Sequence, residues 1–336
     1  MMENKTTELL TTQNLSVGYP ANKIENVLFE QLNLSLSEGQ LVCFMGSNGI
    51  GKSTLIRTLA GLQKPLSGKV LYKNNPSFDT SQKISVVLTD RISANLTVLE
   101  LITYGRYPYL DWTISVQEKD RSIIDDAVQS VRIERLLKKR LFELSDGQMQ
   151  MVMIARALAQ DGEILLLDEP TAHLDLNNRV EIMNLLRNLS RSTKKAILIA
   201  THELDLALQT ADRIWLADRK KNIQTGIPED LVLDGSFDEI FQLKGFDLKT
   251  GRMHHTPYRN TMIQLVGSGY EFLWTKNALE RCGFQVTESI TPMRIILQKL
   301  GSKFQWIVQQ NESTVQFNTL DQVINSLNQS IAKESY

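Results

Sequence analysis

Gly46-Ser47-Asn48-Gly49-Ile50-Gly51-Lys52-Ser53-Thr54 fits the pattern G-x-x-x-x-G-K-[ST], and its surroundings fit the chemistry that the pattern serves. The apolar run Gln40-Leu-Val-Cys-Phe-Met45 before it reads as a buried strand, and Leu55-Ile-Arg-Thr-Leu-Ala-Gly61 after it reads as a helix start. A glycine-rich loop between a strand and a helix N-terminus turns its backbone N–H groups toward an anion, and the helix dipole favours negative charge there. The stretch therefore predicts a nucleotide phosphate site in an α/β fold. Lys52 is placed to reach the β- and γ-phosphates, and the Ser53 hydroxyl to ligate Mg²⁺.

The other half of such a site follows at Ile164-Leu-Leu-Leu-Asp168-Glu169-Pro170. A continuous apolar run is what a strand covered on both faces of a parallel sheet looks like. Acids at its carboxyl end project into the crevice where ligands bind in open α/β sheets. Asp168 is then expected to hold Mg²⁺, directly or through water, and Glu169 to polarise the attacking water. The run alone would equally suit a strand ending in a solvated Asp-Glu turn; the Lys52 loop decides between the two.

Between these elements lies Leu144-Ser145-Asp146-Gly147-Gln148, opening the helical stretch Met149 to Ala159. Standing alone it would be a helix N-terminus capped by Ser145 or Asp146. Beside the two elements above, it resembles the signature motif of ATP-binding cassette (ABC) ATPases. The resemblance implies that Ser145, Gly147 and Gln148 contact the γ-phosphate held by a second copy, so that two chains pack head to tail around two ATP molecules. It also implies that Asp175, in Thr171-Ala-His-Leu-Asp175, belongs to the loop crossing that interface. His202, ending Ile197-Leu-Ile-Ala-Thr-His202, would contact the γ-phosphate, and Tyr19, in Leu15-Ser-Val-Gly-Tyr19-Pro20, would stack on adenine. The nucleotide set is thus Tyr19, Gly46, Ser47, Asn48, Gly49, Gly51, Lys52, Ser53, Thr54, Ser145, Gly147, Gln148 and Asp175. Glu169, His202 and Lys52 are the catalytic candidates, and Ser53, Asp168 and Asp90 the metal ligands.

Two positions depart from the family pattern. After Ile84-Ser-Val-Val-Leu88 the family carries a Gln that touches Mg²⁺ and the attacking water and reports ATP occupancy to the membrane partner; here the chain reads Thr89-Asp90-Arg91. Asp90 is the positional equivalent, with Thr89 as the alternative. A carboxylate still offers oxygen to a hard cation, but it adds negative charge beside Asp168 and Glu169. Hydrolysis is expected to persist, because the other elements are intact. Asp146 stands where glycine is commoner, and its side chain is expected to turn away from phosphate and cap the helix.

The stretch Thr97-Val-Leu-Glu-Leu-Ile-Thr-Tyr-Gly105-Arg-Tyr-Pro108-Tyr109 resembles ATPases that power uptake of ferric siderophores, haem and cobalamin. Residues about 90–112 are accordingly expected to receive integral membrane permease subunits, the alternative being an aromatic patch packed on its own core. A periplasmic or surface substrate-binding protein would act indirectly, through the permease.

With 336 residues, 42% hydrophobic and 22% charged, the composition is that of a globular chain of about two domains. Net charge is −1, which gives no electrostatic footprint for nucleic acid. No apolar stretch approaches the ~18 residues of a spanning helix, and the first residues lack the apolar core of a secretory signal. Cys43 and Cys282 lie far apart within apolar patterns and read as reduced core residues. The expected organisation is an ABC nucleotide-binding domain over 8–255, with a helical subdomain inserted at about 91–160, followed by a small α+β domain over 257–336 in βαβββα order. Its closing helix, Thr319 to Ile331, carries Leu320, Val323, Ile324, Leu327 and Ile331 on one face. The expectation is an ATP-hydrolysing importer subunit, peripheral on the cytoplasmic face of the inner membrane. The alternatives are an exporter-type ATPase and a soluble non-transport ABC protein. A single cassette, without sustained heptads or a basic patch, weighs against the last.

Overall fold

Leu41–Met45, Ile164–Asp168 and Ala196–Ala200 are buried at every position, as strands of a sheet covered on both faces must be. The computed structural model describes residues 7–20, 26–89, 94–110, 115–243, 245–253, 255–300, 303–310 and 313–334. They fall into two compact units, 1–242 and 243–336.

The first unit runs β1 (Glu8–Tyr19), β2 (Asn26–Leu32), β3 (Ser35–Ser37), β4 (Leu41–Met45), α1 (Lys52–Leu59), β5 (Ser67–Tyr72), α2 (Thr80–Lys83), β6 (Ile84–Val87), α3 (Val98–Thr103), α4 (Glu118–Val131), α5 (Asp146–Ala159), β7 (Ile164–Asp168), α6 (Leu176–Thr193), β8 (Ala196–Ala200), α7 (Leu204–Thr210), β9 (Arg213–Ala217), β10 (Ile223–Gly226), α8 (Pro228–Leu233) and α9 (Ser236–Phe241). One sheet has the order β10-β9-β4-β8-β7-β6, parallel except for β10. A smaller antiparallel sheet pairs β1 with β2, β3 and β5. Leu55, Ile56 and Leu59 of α1 join one core with Leu10, Val17, Phe29 and Leu36 of the small sheet and Phe44, Leu166 and Trp215 of the large one. That packing fixes α1, and the loop before it, at the carboxyl end of β4.

At the opposite end of β7, Glu163 accepts hydrogen bonds from the Tyr72 hydroxyl, from Lys73 Nζ at 2.7 Å and from Lys83 Nζ at 3.4 Å. Partial burial pushes the Glu163 carboxyl up, but the bonds from Lys73 and Tyr72 outweigh it and hold it down to about 2. A carboxyl depressed in the folded state stabilises the fold above its unfolded value and loses that contribution as pH falls through the folded value. The stability difference between wild type and Glu163→Gln is therefore expected to shrink between pH 4.5 and about 2, and to stay below about 1 kcal/mol because the group is well solvated. Urea unfolding at several pH values measures it; a difference that grows on acidification would contradict this origin.

Between β6 and β7 the chain forms the helical part, α3 to α5. The aromatic stretch Tyr104–Tyr109 is a 3₁₀ helix, and its residues divide by role. Arg106 is 3% exposed: Nε donates to Asp120 Oδ1 at 2.9 Å, Nη1 to the Ala159 carbonyl at 3.1 Å, and the guanidinium lies 4.2 Å from the Tyr109 ring centroid. Gly105 is buried so close to α5 that a Cβ there would come within 2.3 Å of the Arg156 carbonyl oxygen. Tyr104, Tyr107 and Tyr109 remain exposed. Arg106→Met leaves Asp120 buried without its cation, and is expected to cost about 3–5 kcal/mol in denaturant unfolding. A loss under about 1 kcal/mol would mean that the pair does not hold the turn to α4.

The second unit holds β11 (Phe246–Asp247), β12 (Arg252–Met253), β13 (Met262–Val266), α10 (Gly269–Arg281), β14 (Gln285–Thr287), β15 (Met293–Leu300), β16 (Lys303–Gln310), β17 (Ser313–Phe317) and α11 (Leu320–Glu334). Its main sheet has the order β14-β13-β15-β16-β17, with β13 parallel to both neighbours and the remaining pairs antiparallel. Leu279 of α10 and Val323 and Leu327 of α11 pack on Ile263, Leu265, Ile295 and Val308. Four strands follow α10 rather than the three expected, because Ser313–Phe317, with only Val315 and Phe317 apolar, carries little periodic signal. Cys43 and Cys282 are both free thiols, and burial pushes Cys43 up to about 12.

Candidate nucleotide site

The loop Gly46 to Gly51 leaves β4 and ends at the N-terminus of α1. Gly51 has φ +113°, a backbone that calls for glycine, and a Cβ there would be crowded by Leu28 Cδ1 at 3.0 Å and Phe29 Cε2 at 3.1 Å. Lys52 is 7% exposed, donates from Nζ to the Gly46 carbonyl at 3.1 Å and lies 3.8 Å from Glu169 Oε1. Its ammonium is thus held inside the curve of the loop. Ser53 is exposed on the first turn of α1. Thr54 is buried and its Oγ1 is 2.9 Å from the Tyr19 hydroxyl, which anchors that half-exposed ring beside the loop.

Asp168, 2% exposed, closes β7, and Glu169 follows it. The Glu169 backbone is left-handed, φ +50°, with its N–H donated to the Ala200 carbonyl at 2.9 Å and its own carbonyl accepting from Ala172 N–H at 3.1 Å. That conformation costs a non-glycine residue on the order of 1 kcal/mol. It sets the carboxylate 2.6 Å from His202 Nδ1, at the end of β8, and beside Lys52. The opposite nitrogen of His202 is 3.7 Å from Glu203 Oε1, and Glu203 is bridged at 2.8 Å by Arg179, whose Nε donates to the Leu174 carbonyl. A chain of contacts therefore joins Lys52, Glu169 and His202 to the loop that carries Asp175.

Ser145, Gly147 and Gln148 lie elsewhere, at the start of α5, where Gly147 adjoins the α6 cap that holds Asp175. Ser145 caps α5: its hydroxyl accepts the Gln148 N–H, and the Gln148 side chain accepts the Ser145 N–H, each at 3.3 Å. The expectation that Asp146 caps this helix is corrected. Asp146 is the first helical residue, and Ser145 wins because Gln148 completes the reciprocal box. Gly147 is packed against Asn178, whose Cγ would be 2.9 Å from a Cβ at that position. Asn178 in turn donates its N–H and Nδ2 to the two Asp175 carboxylate oxygens at 2.9 and 3.0 Å. The only mark Asn178 leaves in the sequence is the Asp-x-x-Asn spacing of a helix cap.

A cavity of about 570 Å³ lies between the helical part and the sheet, lined by Thr89, Asp146, Met149, Asp168, Glu169 and His173 among others. Asp90 lies outside the described residues. Thr89 is exposed and faces the cavity. Among the described residues no cluster of three His, Cys, Asp or Glu could hold a metal by itself. Mg²⁺ needs no such cluster: it takes one or two protein oxygens and completes its shell with water and substrate phosphates. The Ser53 hydroxyl and the buried Asp168 carboxylate are hard-oxygen donors of that kind. No described helix is long and apolar enough to cross a membrane.

The family model described as ABC transporter matches residues 29–172, and that of the iron ABC transporter C-terminal domain matches residues 259–328. An uncharacterised ABC transporter ATP-binding protein of Methanocaldococcus jannaschii is 37% identical over 277 residues, covering 78% of this chain and 92% of the relative. A petrobactin import ATP-binding protein of Bacillus anthracis is 35% identical over 254 residues, covering 74% and 91%. Among solved structures, a transporter assigned to the metal-chelate type, in an inward-facing conformation, superposes with TM-score 0.62 at 29% identity over 70% of this chain and 90% of the other. A dimeric bacterial ABC cassette, known also in a post-hydrolysis state with ADP and phosphate, gives TM-score 0.57 at 26% identity over 66% of this chain and 99% of the other. With the phosphate loop, the paired acids and the signature helix in place, the chain belongs to the ABC transporter family as an ATP-binding ATPase subunit.

Proposed function

We propose that this ATPase energises an importer for an iron chelate, haem or a corrinoid, working as a head-to-tail dimer beneath a membrane permease. The observation that carries the catalytic part is Glu169, held between Lys52 at 3.8 Å and His202 at 2.6 Å at the mouth of the phosphate loop. Import is supported by the names of the relatives and by the match of the second unit to an iron transporter domain.

Adenine stacks on Tyr19, and the triphosphate lies along the N–H groups of Gly46 to Thr54 with Lys52 at its outer phosphates. A second copy closes the site with Ser145, Gly147 and Gln148, while Asp175 crosses toward it. Glu169 takes a proton from the attacking water as the new O–P bond forms and the bond to ADP breaks. His202 holds the Glu169 carboxylate in place for this step and meets the γ-phosphate. Mg²⁺, held by Ser53 and Asp168, would neutralise charge on the phosphate oxygens. Positioning and charge stabilisation supply most of the rate.

Closure of the dimer is passed to the permease through residues about 90–112. The exposed Tyr104, Tyr107 and Tyr109 lie there on a turn anchored by buried Arg106, which packs on Tyr109 while Tyr104 and Tyr107 pack on each other, and they suit an interface core. The chain then sits peripherally on the cytoplasmic face of the membrane, the cassette being the first unit and the accessory domain the second, with residues 243–255 grouped with the accessory domain and not with the cassette. The deciding measurement is ATP turnover of the chain reconstituted with its permease, with and without a binding protein loaded with ferric siderophore, haem or cobalamin. Stimulation by one loaded binding protein is expected. Turnover indifferent to permease and cargo alike would sink the transport reading.

A further inference from the structure

The main sheet of the second unit has one face under α10 and α11, where Ile263, Leu265, Ile295 and Val308 form the core. Neither helix packs on the other face. Strand register there aligns one polar row across the whole sheet: Thr287, Gln264, Arg294, Gln309 and Thr314. Next to it lies an apolar row, Val266, Ile296 and Ile307.

Two members of the polar row carry buried atoms with no hydrogen-bond partner, Gln264 Oε1 and Arg294 Nε. Gln264 is 8% exposed; its amide nitrogen donates to the Glu288 carbonyl at 3.1 Å, and its backbone N–H to Thr291 Oγ1 at 3.0 Å. The amide oxygen is what remains. Arg294 is directly opposite on the paired strand and makes no ion pair among the described residues. An acceptor and a charged donor, each unfavourable when buried and unmet, thus sit on directly paired residues. The row contains no acid to serve Arg294. A second copy laid on this face about a twofold axis would bring another arginine and no acid.

A molecule that meets both atoms presents an anion to the guanidinium and an N–H or O–H to the amide oxygen. We propose that this row binds a small carboxylate bearing an adjacent hydroxyl or amino group. The carboxylate accepts from Arg294 in the forked geometry that guanidinium favours, the hydroxyl or amino group donates to Gln264 Oε1, and the carbon skeleton lies over Val266, Ile296 and Ile307. The inference concerns the second unit alone and does not depend on the transport reading.

The test is titration calorimetry on the full chain. Malate and citrate form the hydroxy-acid arm and glutamate and serine the amino-acid arm, while succinate and acetate carry no donor beside the carboxylate. Saturable heat from one of the first two arms is expected, with succinate and acetate weaker by about 10-fold. Arg294→Gln is expected to weaken the bound compound by about 10-fold or more, with Arg294→Lys between the two, and Gln264→Leu to abolish the preference over succinate. Circular dichroism melting confirms that each variant is folded. No saturable heat from any compound up to roughly 10 mM, or binding unchanged in folded Arg294→Gln, would overturn the proposal.

Discussion

Replacing Glu169 by Gln is expected to lower ATP turnover by about 10²- to 10⁴-fold while nucleotide stays bound. Glutamine keeps the length of the side chain and can still meet Lys52 and His202, which lie 3.8 and 2.6 Å from the carboxylate. It cannot accept the proton of the attacking water. Phosphate release gives the turnover, and retention of radiolabelled ATP on a filter gives the binding. A variant that hydrolyses ATP within a few-fold of wild type would remove Glu169 from the role of base. Because the substitution blocks hydrolysis without disturbing the phosphate loop, the ATP-bound dimer is expected to accumulate and to be visible in sedimentation velocity.

Gly147→Val is expected to reduce turnover by a comparable factor, about 10²–10³, through a different failure. A Cβ at Gly147 lies 2.9 Å from Asn178 Cγ, and the two methyls of valine have no room beside it. Either the first turn of α5 or the cap of α6 must shift, and Asp175 moves with Asn178. The phosphate loop lies on other elements, so one chain should bind ATP with nearly its normal affinity. Combined with Glu169→Gln, the change should abolish the trapped dimer. A double variant that still sediments as a dimer with ATP would show that the signature helix does not complete the site of a second copy.

Much of the cassette was legible because its chemistry is written in contiguous runs. The phosphate loop, the strand ending in Asp168 and Glu169, and the strand ending in His202 each announce the end of a buried parallel strand. The structure brings those ends together through β4, β7 and β8. Contacts between distant segments were not legible. Nothing in the local sequence pairs Asn178 with Gly147, or buries Arg106 against Asp120 and the Ala159 carbonyl. An arginine amid tyrosines reads as surface until its partners are placed. Ser145 and Asp146 are both competent caps, and only the helix start decides between them. In the second unit, alternation located most strands, and Met293–Leu300 and Lys303–Gln310 read as antiparallel strands, as they are; it did not show that β13 runs parallel to β15.

The left-handed backbone of Glu169 has a consequence for how such a chain drifts under mutation. At φ +50° glycine fits without strain and asparagine with less than most residues, so stability alone would push position 169 away from glutamate. Glu169→Gly should melt higher than wild type or level with it, yet be inactive. A population selected only for folding would lose this residue early, whereas one selected for turnover must keep it against the slope. Ten other described non-glycine residues share a left-handed backbone, so it is the pairing of that strain with the contacts to Lys52 and His202 that sets position 169 apart.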